Sequence, residues 1–254
     1  MSNTMKRFFV YLTAGYPNLE DSFRIMEGIS DLVDGIEIGI PFTDPLADGP
    51  TIQMASSYAL ARGVKVRDVF DNTRKLVERV SIPLYFMTYY NIVYQAGLVR
   101  FCRESKKIGV KGLIVPDVPI EESDELNQAC WDVGLENVMF ITPVSDEERV
   151  RLVLSLARGF VYYVSVTGVT GARQTVNREA LNHIKEIKNK FMPEIPIMLG
   201  FGISSPETVE QACKVADGVI VGSAIINEID PESSWQENLS KIRRKIEWMR
   251  EGLK

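Results

Sequence analysis

Histidine is almost missing from this chain: its 254 residues include one, His183. That leaves too few imidazoles for a histidine-rich metal centre and none beside a candidate nucleophile, which argues against a Ser-His-Asp triad. His183 itself lies in "EALNHIKEIK", next to Leu181, Ile184 and Ile187 of an amphipathic pattern, and reads as a partly exposed helix residue. Acid–base work near neutral pH therefore falls to Asp, Glu, Tyr, Lys or Cys. Cysteine is scarce too. Cys102, Cys130 and Cys213 are widely spaced, fall in helical patterns and include no Cys-x-x-Cys. They read as buried, reduced thiols of a cytoplasmic protein. No apolar run approaches the ~20 residues that cross a bilayer, and the N-terminal apolar stretch is too short for a signal peptide. Positive charge does not dominate: the net charge is -5, which argues against a nucleic-acid partner. No Gly-x-Gly-x-x-Gly follows the first predicted strand, so the dinucleotide fingerprint is missing.

What is present is a repeating alternation. With 45% hydrophobic and 25% charged residues the chain has an ordinary globular composition. Eight short runs rich in apolar and β-branched residues recur, at 8–14, 35–41, 82–88, 112–118, 137–143, 160–166, 195–201 and 218–224. Continuous apolar runs of this kind predict parallel strands covered on both faces. Helical patterns separate them. Asn18 caps the first, Ser145 with Glu148 reads as a capping box for a helix closed by Gly159, and Ser205-Pro206 is an N-cap followed by proline at N1. Eight strands each followed by a helix predict an α/β fold, a single (β/α)8 TIM barrel spanning residues 1–254. An open doubly wound sheet fits less well, because no run stands out as an edge strand. The second and sixth βα connections are the longest, and only a short segment precedes the first strand, so the bottom of the barrel needs some other cover.

In such a barrel the chemistry sits at the C-terminal ends of the strands. The second run, "GIEIGIPFTDPLADGP", carries a carboxylate inside it. Alternation puts Ile36, Ile38 and Ile40 under the helices and turns Glu37 and Gly39 into the barrel. Burial raises the pKa of an inward Glu37, which suits a general acid/base, and Gly39 is expected to leave room for a ligand. The competing reading is a structural glutamate paired to a lysine or arginine. Pro45 and Pro50 stiffen the following loop, and Asp44 and Asp48 bring two more acids to it. Two glycine motifs, "LGFGISS" with Gly200 and Gly202 and "VIVGSAI" with Gly222-Ser223, each end a strand and open a helix. Backbone N–H groups in such places bind phosphate, and the ends of strands seven and eight are the usual phosphate corner. "SVTGVTGAR" after the sixth run has the glycines and hydroxyls of a lid.

These stretches, "GIEIGIPFTDPLADGPTIQ", "PDVPIEES", "SVTGVTGAR" and "GFGIS…ADGVIVGSAI", closely resemble the tryptophan synthase alpha chain, in order and over almost the whole sequence. The resemblance implies a lyase that cleaves indole-3-glycerol phosphate to indole and glyceraldehyde 3-phosphate, with no metal and no cofactor in this chain. It implies Glu37 as general acid/base, Asp48 as the carboxylate at the indole N–H, Thr170 as the lid residue over Asp48, and Tyr162 beside Glu37. Gly171, Gly202, Gly222 and Ser223 match phosphate-binding positions, and Tyr11 and Phe201 match pocket-lining ones. It also implies a beta-chain partner that uses pyridoxal phosphate (PLP), in an α2β2 assembly, met by Asp44 and Asn91. Tyr89, Tyr90 and Tyr94 suit either that interface or local packing. Another phosphate-binding barrel enzyme and a mainly regulatory binding subunit are the alternatives that an activity assay separates.

Overall fold

The computed structural model describes residues 5–165 and 176–253. Eight parallel strands close into a barrel in sequence order: β1 (Arg7–Thr13), β2 (Gly35–Gly39), β3 (Leu84–Met87), β4 (Gly112–Ile114), β5 (Glu136–Ile141), β6 (Val161–Val164), β7 (Ile197–Gly200) and β8 (Gly218–Val221). β1 pairs with both β2 and β8, which closes the sheet and leaves no edge. Both faces are covered, so the strands are buried almost throughout, and this is why they read as unbroken apolar runs. Every strand except β1 is shorter than its apolar run, and each run continues into the first residues of the βα loop.

The helix caps follow the sequence with one slip. Asn18 caps Leu19–Gly28 by accepting from Asp21 N, and Ser205 caps Pro206–Cys213 with proline at N1. The helix Glu147–Leu156, however, is capped by Asp146, whose side chain accepts from Arg149 N. Ser145 is spent in the preceding turn, where its hydroxyl accepts from Thr142 N. Gly159 does not close that helix, which ends at Leu156 with Ala157 as its cap; Gly159 lies beyond it at φ +86°, packed against Glu136.

Inside the barrel, large side chains lie over glycines of the neighbouring strand. A Cβ at Gly35 would overlap Phe9, at Gly112 Glu136 and Tyr85, and at Gly218 the backbone and Met198. Phe9, Tyr85 and Phe160 pack with ring centroids 5.3–5.9 Å apart and, with Met198, form the floor near the N-terminal strand ends. This aromatic layer fills the lower barrel interior. One step higher the same device repeats: the Tyr11 ring occupies the space over Gly39, and the Tyr162 ring that over Gly200. The expectation that Gly39 leaves room for a ligand is thereby corrected. Strand tilt brings the neighbouring strand's tyrosine across the glycine, so Gly39 makes room for Tyr11.

Candidate active site

Above that layer the C-terminal strand ends enclose a cavity of about 600 Å³. Tyr11, Glu37, Asp48, Tyr162, Phe201, Gly202, Gly222 and Ser223 all line it, so the structure brings together the described residues expected to act on substrate. Thr170 and Gly171 lie outside the described residues. Asp44 and Asn91, expected to meet a partner, are both exposed, on the β2 loop and on the helix Tyr90–Ala96.

Glu37 is set by register. Its Cα is opposite Tyr11 of β1 and Tyr85 of β3, so it is held between two aromatic residues in the middle of three paired strands. It is 1% exposed, and its Oε1 has no hydrogen-bond partner among the described residues. Among the described residues no lysine or arginine forms an ion pair with it. A buried carboxyl of this kind avoids the cost of desolvating a charge by staying protonated. Burial, reinforced by repulsion from Asp48, pushes its pKa up to about 8. At neutral pH Glu37 therefore holds a proton that it can deliver.

Asp48 is held differently. The loop carrying it is tied down by the helix Pro50–Ala61 of the long second connection. Ser56 Oγ donates to Phe42 O and accepts from Phe42 N, and Gln53 Nε2 donates to Asp48 O at 2.8 Å. The carboxylate accepts a 2.8 Å hydrogen bond from Tyr89 OH. Partial burial raises its pKa to about 6, and the Tyr89 bond opposes that rise by stabilising the ionised form. The two acids thus occupy opposite protonation states near pH 7, the pattern that assigns one as acid and the other as fixed anion.

Tyr89 is the functional residue that sequence reasoning missed. It is 2% exposed, stacks on Phe42 at 5.1 Å, accepts from Ala47 N at 3.2 Å and donates to Asp48. It packs behind Asp48 rather than on the surface; of the three tyrosines only Tyr94 is largely exposed. The available signal is its position, two residues beyond β3 on the catalytic face. Tyr89→Phe is expected to raise the pKa of Asp48, moving the acid limb of the kcat/KM profile upward and costing roughly tenfold at pH 7. A loss equal at every pH would mean that Tyr89 only packs.

The opposite wall is formed by two turns. Phe201 has φ +68° and Gly202 φ +75°, and a Cβ at Gly202 would meet open space. A bulky side chain in the left-handed region is strained, and such strain concentrates at functional turns. Ser165 Oγ fixes the turn by donating to Gly200 O and Phe201 O at 3.1 and 2.9 Å. Gly222 and Ser223 start a one-turn helix, Ser223–Ile226, so their N–H groups lie before its first intrahelical acceptor. His183 takes no part. It is half-buried, with Nδ1 2.9 Å from Tyr163 OH on the outside of the barrel.

Glu37 also makes stability depend on pH. Its folded pKa lies above that of an unfolded glutamate, so its contribution is fully present below about 4.5 and is lost as pH rises through about 8. The loss is on the order of a few kcal/mol. Glu37→Gln is expected to match the wild type in Tm near pH 5 and to exceed it at pH 9. Parallel Tm values at both pH values would contradict the burial argument.

A sequence profile of the family "Tryptophan synthase alpha chain" matches residues 1–254. The tryptophan synthase alpha chain of Methanocaldococcus jannaschii is 45% identical over 226 residues, 89% of this chain and 80% of that one. That of Flavobacterium johnsoniae is 42% identical over 238 residues, 92% of this chain and 94% of that one. Among solved structures, a chain of the tryptophan synthase α2β2 complex of Pyrococcus furiosus superposes with a TM-score of 0.89 at 33% identity, covering 96% of this chain and 98% of that one.

Proposed function

This chain belongs to the tryptophan synthase alpha chain family, and from that premise we propose that its barrel mouth cleaves indole-3-glycerol phosphate through Glu37 and Asp48. The observation that carries the reading is the pair of carboxyls in one cavity, one fully buried and shifted to about 8, the other partly exposed and shifted to about 6.

The carbon–carbon bond is inert while the indole ring is an electron-rich aromatic. The neutral Glu37 carboxyl gives its proton to indole C3, which turns the ring into an electrophilic indoleninium. The Asp48 carboxylate accepts the indole N–H and stabilises the positive charge. The resulting Glu37 carboxylate takes the proton of the adjacent glycerol hydroxyl. The oxygen electrons form the aldehyde C=O, the carbon–carbon pair returns to the ring, and indole leaves with C3 carrying the proton that Glu37 supplied. Glu37 ends protonated, as it began. Tyr11, Tyr162 and Phe201 wall the ring, and the Gly202 and Gly222–Ser223 turns hold the phosphate, so remote binding orients the reacting end.

No step needs a cofactor in this chain. PLP belongs to the beta-chain partner, which joins indole to serine, and the α2β2 assembly of the Pyrococcus relative supports that partnership. Asp44 and Asn91, exposed on the catalytic face, are proposed to meet the partner. No helix of the described residues is long and apolar enough to cross a membrane. Three buried free thiols support placing this single catalytic domain in the cytoplasm. The test is indole release from indole-3-glycerol phosphate, with and without a cognate beta chain. Release by the chain alone, stimulated by the partner, is expected; no release under either condition would overturn the reading.

A further inference from the structure

A second cavity, of about 450 Å³, lies beside the first, between the ends of β4 and β5 and the helices Asp124–Asp132 and Glu147–Leu156. Pro116, Phe140 and Thr142 line both cavities and form the partition between them. Its volume falls in the range of small-molecule sites. Val118, Leu126, Val138 and Val153 give it an apolar wall.

Its polar character is fixed by a directed chain of hydrogen bonds. Ser123 Oγ donates to Ile120 O at 2.7 Å, so it can accept from Asn127 Nδ2, at 2.9 Å. That orients Asn127 with its Oδ1 toward Asn137, whose Nδ2 donates to it at 2.6 Å. Ser123, Asn127 and Asn137 are all at most 3% exposed. The end of the chain is Asn137 Oδ1, an acceptor with no protein donor among the described residues, on a residue that lines the cavity. Turning the amide to offer an N–H requires the Asn127 amide to turn with it and takes the Ser123 hydroxyl off Ile120 O.

The charged groups at the rim each have a partner. Arg149 pairs with both carboxylate oxygens of Glu121, at 2.7 and 3.3 Å. Asp117 takes the Tyr90 N–H on both of its oxygens, at 2.8 and 3.1 Å. Among the described residues no cation without a partner lines the cavity to hold a phosphate or carboxylate. The occupant that fits is small, neutral, largely apolar, and carries one N–H or O–H donor.

We propose that this cavity is a second binding site for an aromatic N–H heterocycle of the indole type, adjoining the cleavage site across Pro116, Phe140 and Thr142. The choice of indole rests on the cleavage reading; the apolar wall and the buried Asn137 acceptor do not. Indole held there would be product parked next to the site that made it.

The test is an indole titration of methyl-labelled protein, followed by NMR, with the first cavity blocked by a non-cleavable indolyl-alkyl phosphate. Saturable shifts of the Val118, Leu126 and Val153 methyls are expected under the block. 1-Methylindole, which lacks the donor, is expected to bind at least ~10-fold more weakly. Val118→Phe, which fills the cavity and leaves the amide chain intact, is expected to abolish the shifts. Shifts confined to the Ile52 and Ile220 methyls of the first cavity, and lost under the block, would overturn the proposal. Equal affinity for 1-methylindole would overturn it too. Wild-type protein that fails to release indole yet shows these shifts would sink only the cleavage reading.

Discussion

Glu37→Gln is expected to lower indole release from indole-3-glycerol phosphate by at least ~10²–10⁴-fold, with the barrel still melting cooperatively. Glutamine keeps the shape of the side chain and removes the only proton that the site holds in a buried, neutral carboxyl. Its amide cannot protonate C3, and it cannot afterwards take the hydroxyl proton. The substitution also relieves a cost at alkaline pH, because the buried acid is disfavoured as an anion. Loss of activity together with higher stability at alkaline pH is the signature of a group retained for chemistry. If indole release survived near the wild-type level, Glu37 would not be the acid, whatever its burial.

Asp48→Asn is expected to cost roughly 10²–10³-fold, the usual scale for removing one electrostatic stabiliser of a transition state. Asparagine can still accept the Tyr89 hydroxyl, so the loop from Phe42 to Pro50 keeps its anchor and what is lost is charge. A second effect follows from the coupling between the acids. Asp48 is one of the two causes that raise the Glu37 pKa. Neutralising it therefore moves the Glu37 titration down, and the alkaline limb of the kcat/KM profile shifts to lower pH in the variant. A variant with lower activity but an unmoved alkaline limb would show that the carboxyls do not sense each other.

The sequence made the barrel legible because its apolar runs report burial on both faces, and the caps at Asn18 and Ser205 report helix starts by local chemistry alone. The misreadings have local causes. Ser145 and Asp146 are both competent caps, and the turn at Thr142 claims the serine hydroxyl, so the helix starts one residue later. Alternation correctly turned Glu37 inward, since it depends only on the strand period. It could not show what lies over Gly39, because the Tyr11 ring arrives from a neighbouring strand through barrel tilt. Tyr89 was hidden by its neighbours. In a run of tyrosines nothing local marks which one is buried against the loop, and its bond to Asp48 joins residues 41 apart in sequence. The separate jobs of the acids came from resemblance; the structure adds the opposite protonation states that those jobs need.

The pH dependence of kcat/KM tests the central claim most directly, because it reports the acid and base of the free enzyme, the state in which Glu37 and Asp48 are described. The acid limb contains the titration of the substrate phosphate as well as that of Asp48, so the alkaline limb decides. The account predicts that kcat/KM falls above a pKa of about 8, as Glu37 loses the proton that starts the cleavage. A profile that stays flat or rises through that pH would mean that Glu37 acts as an anion, and would contradict it.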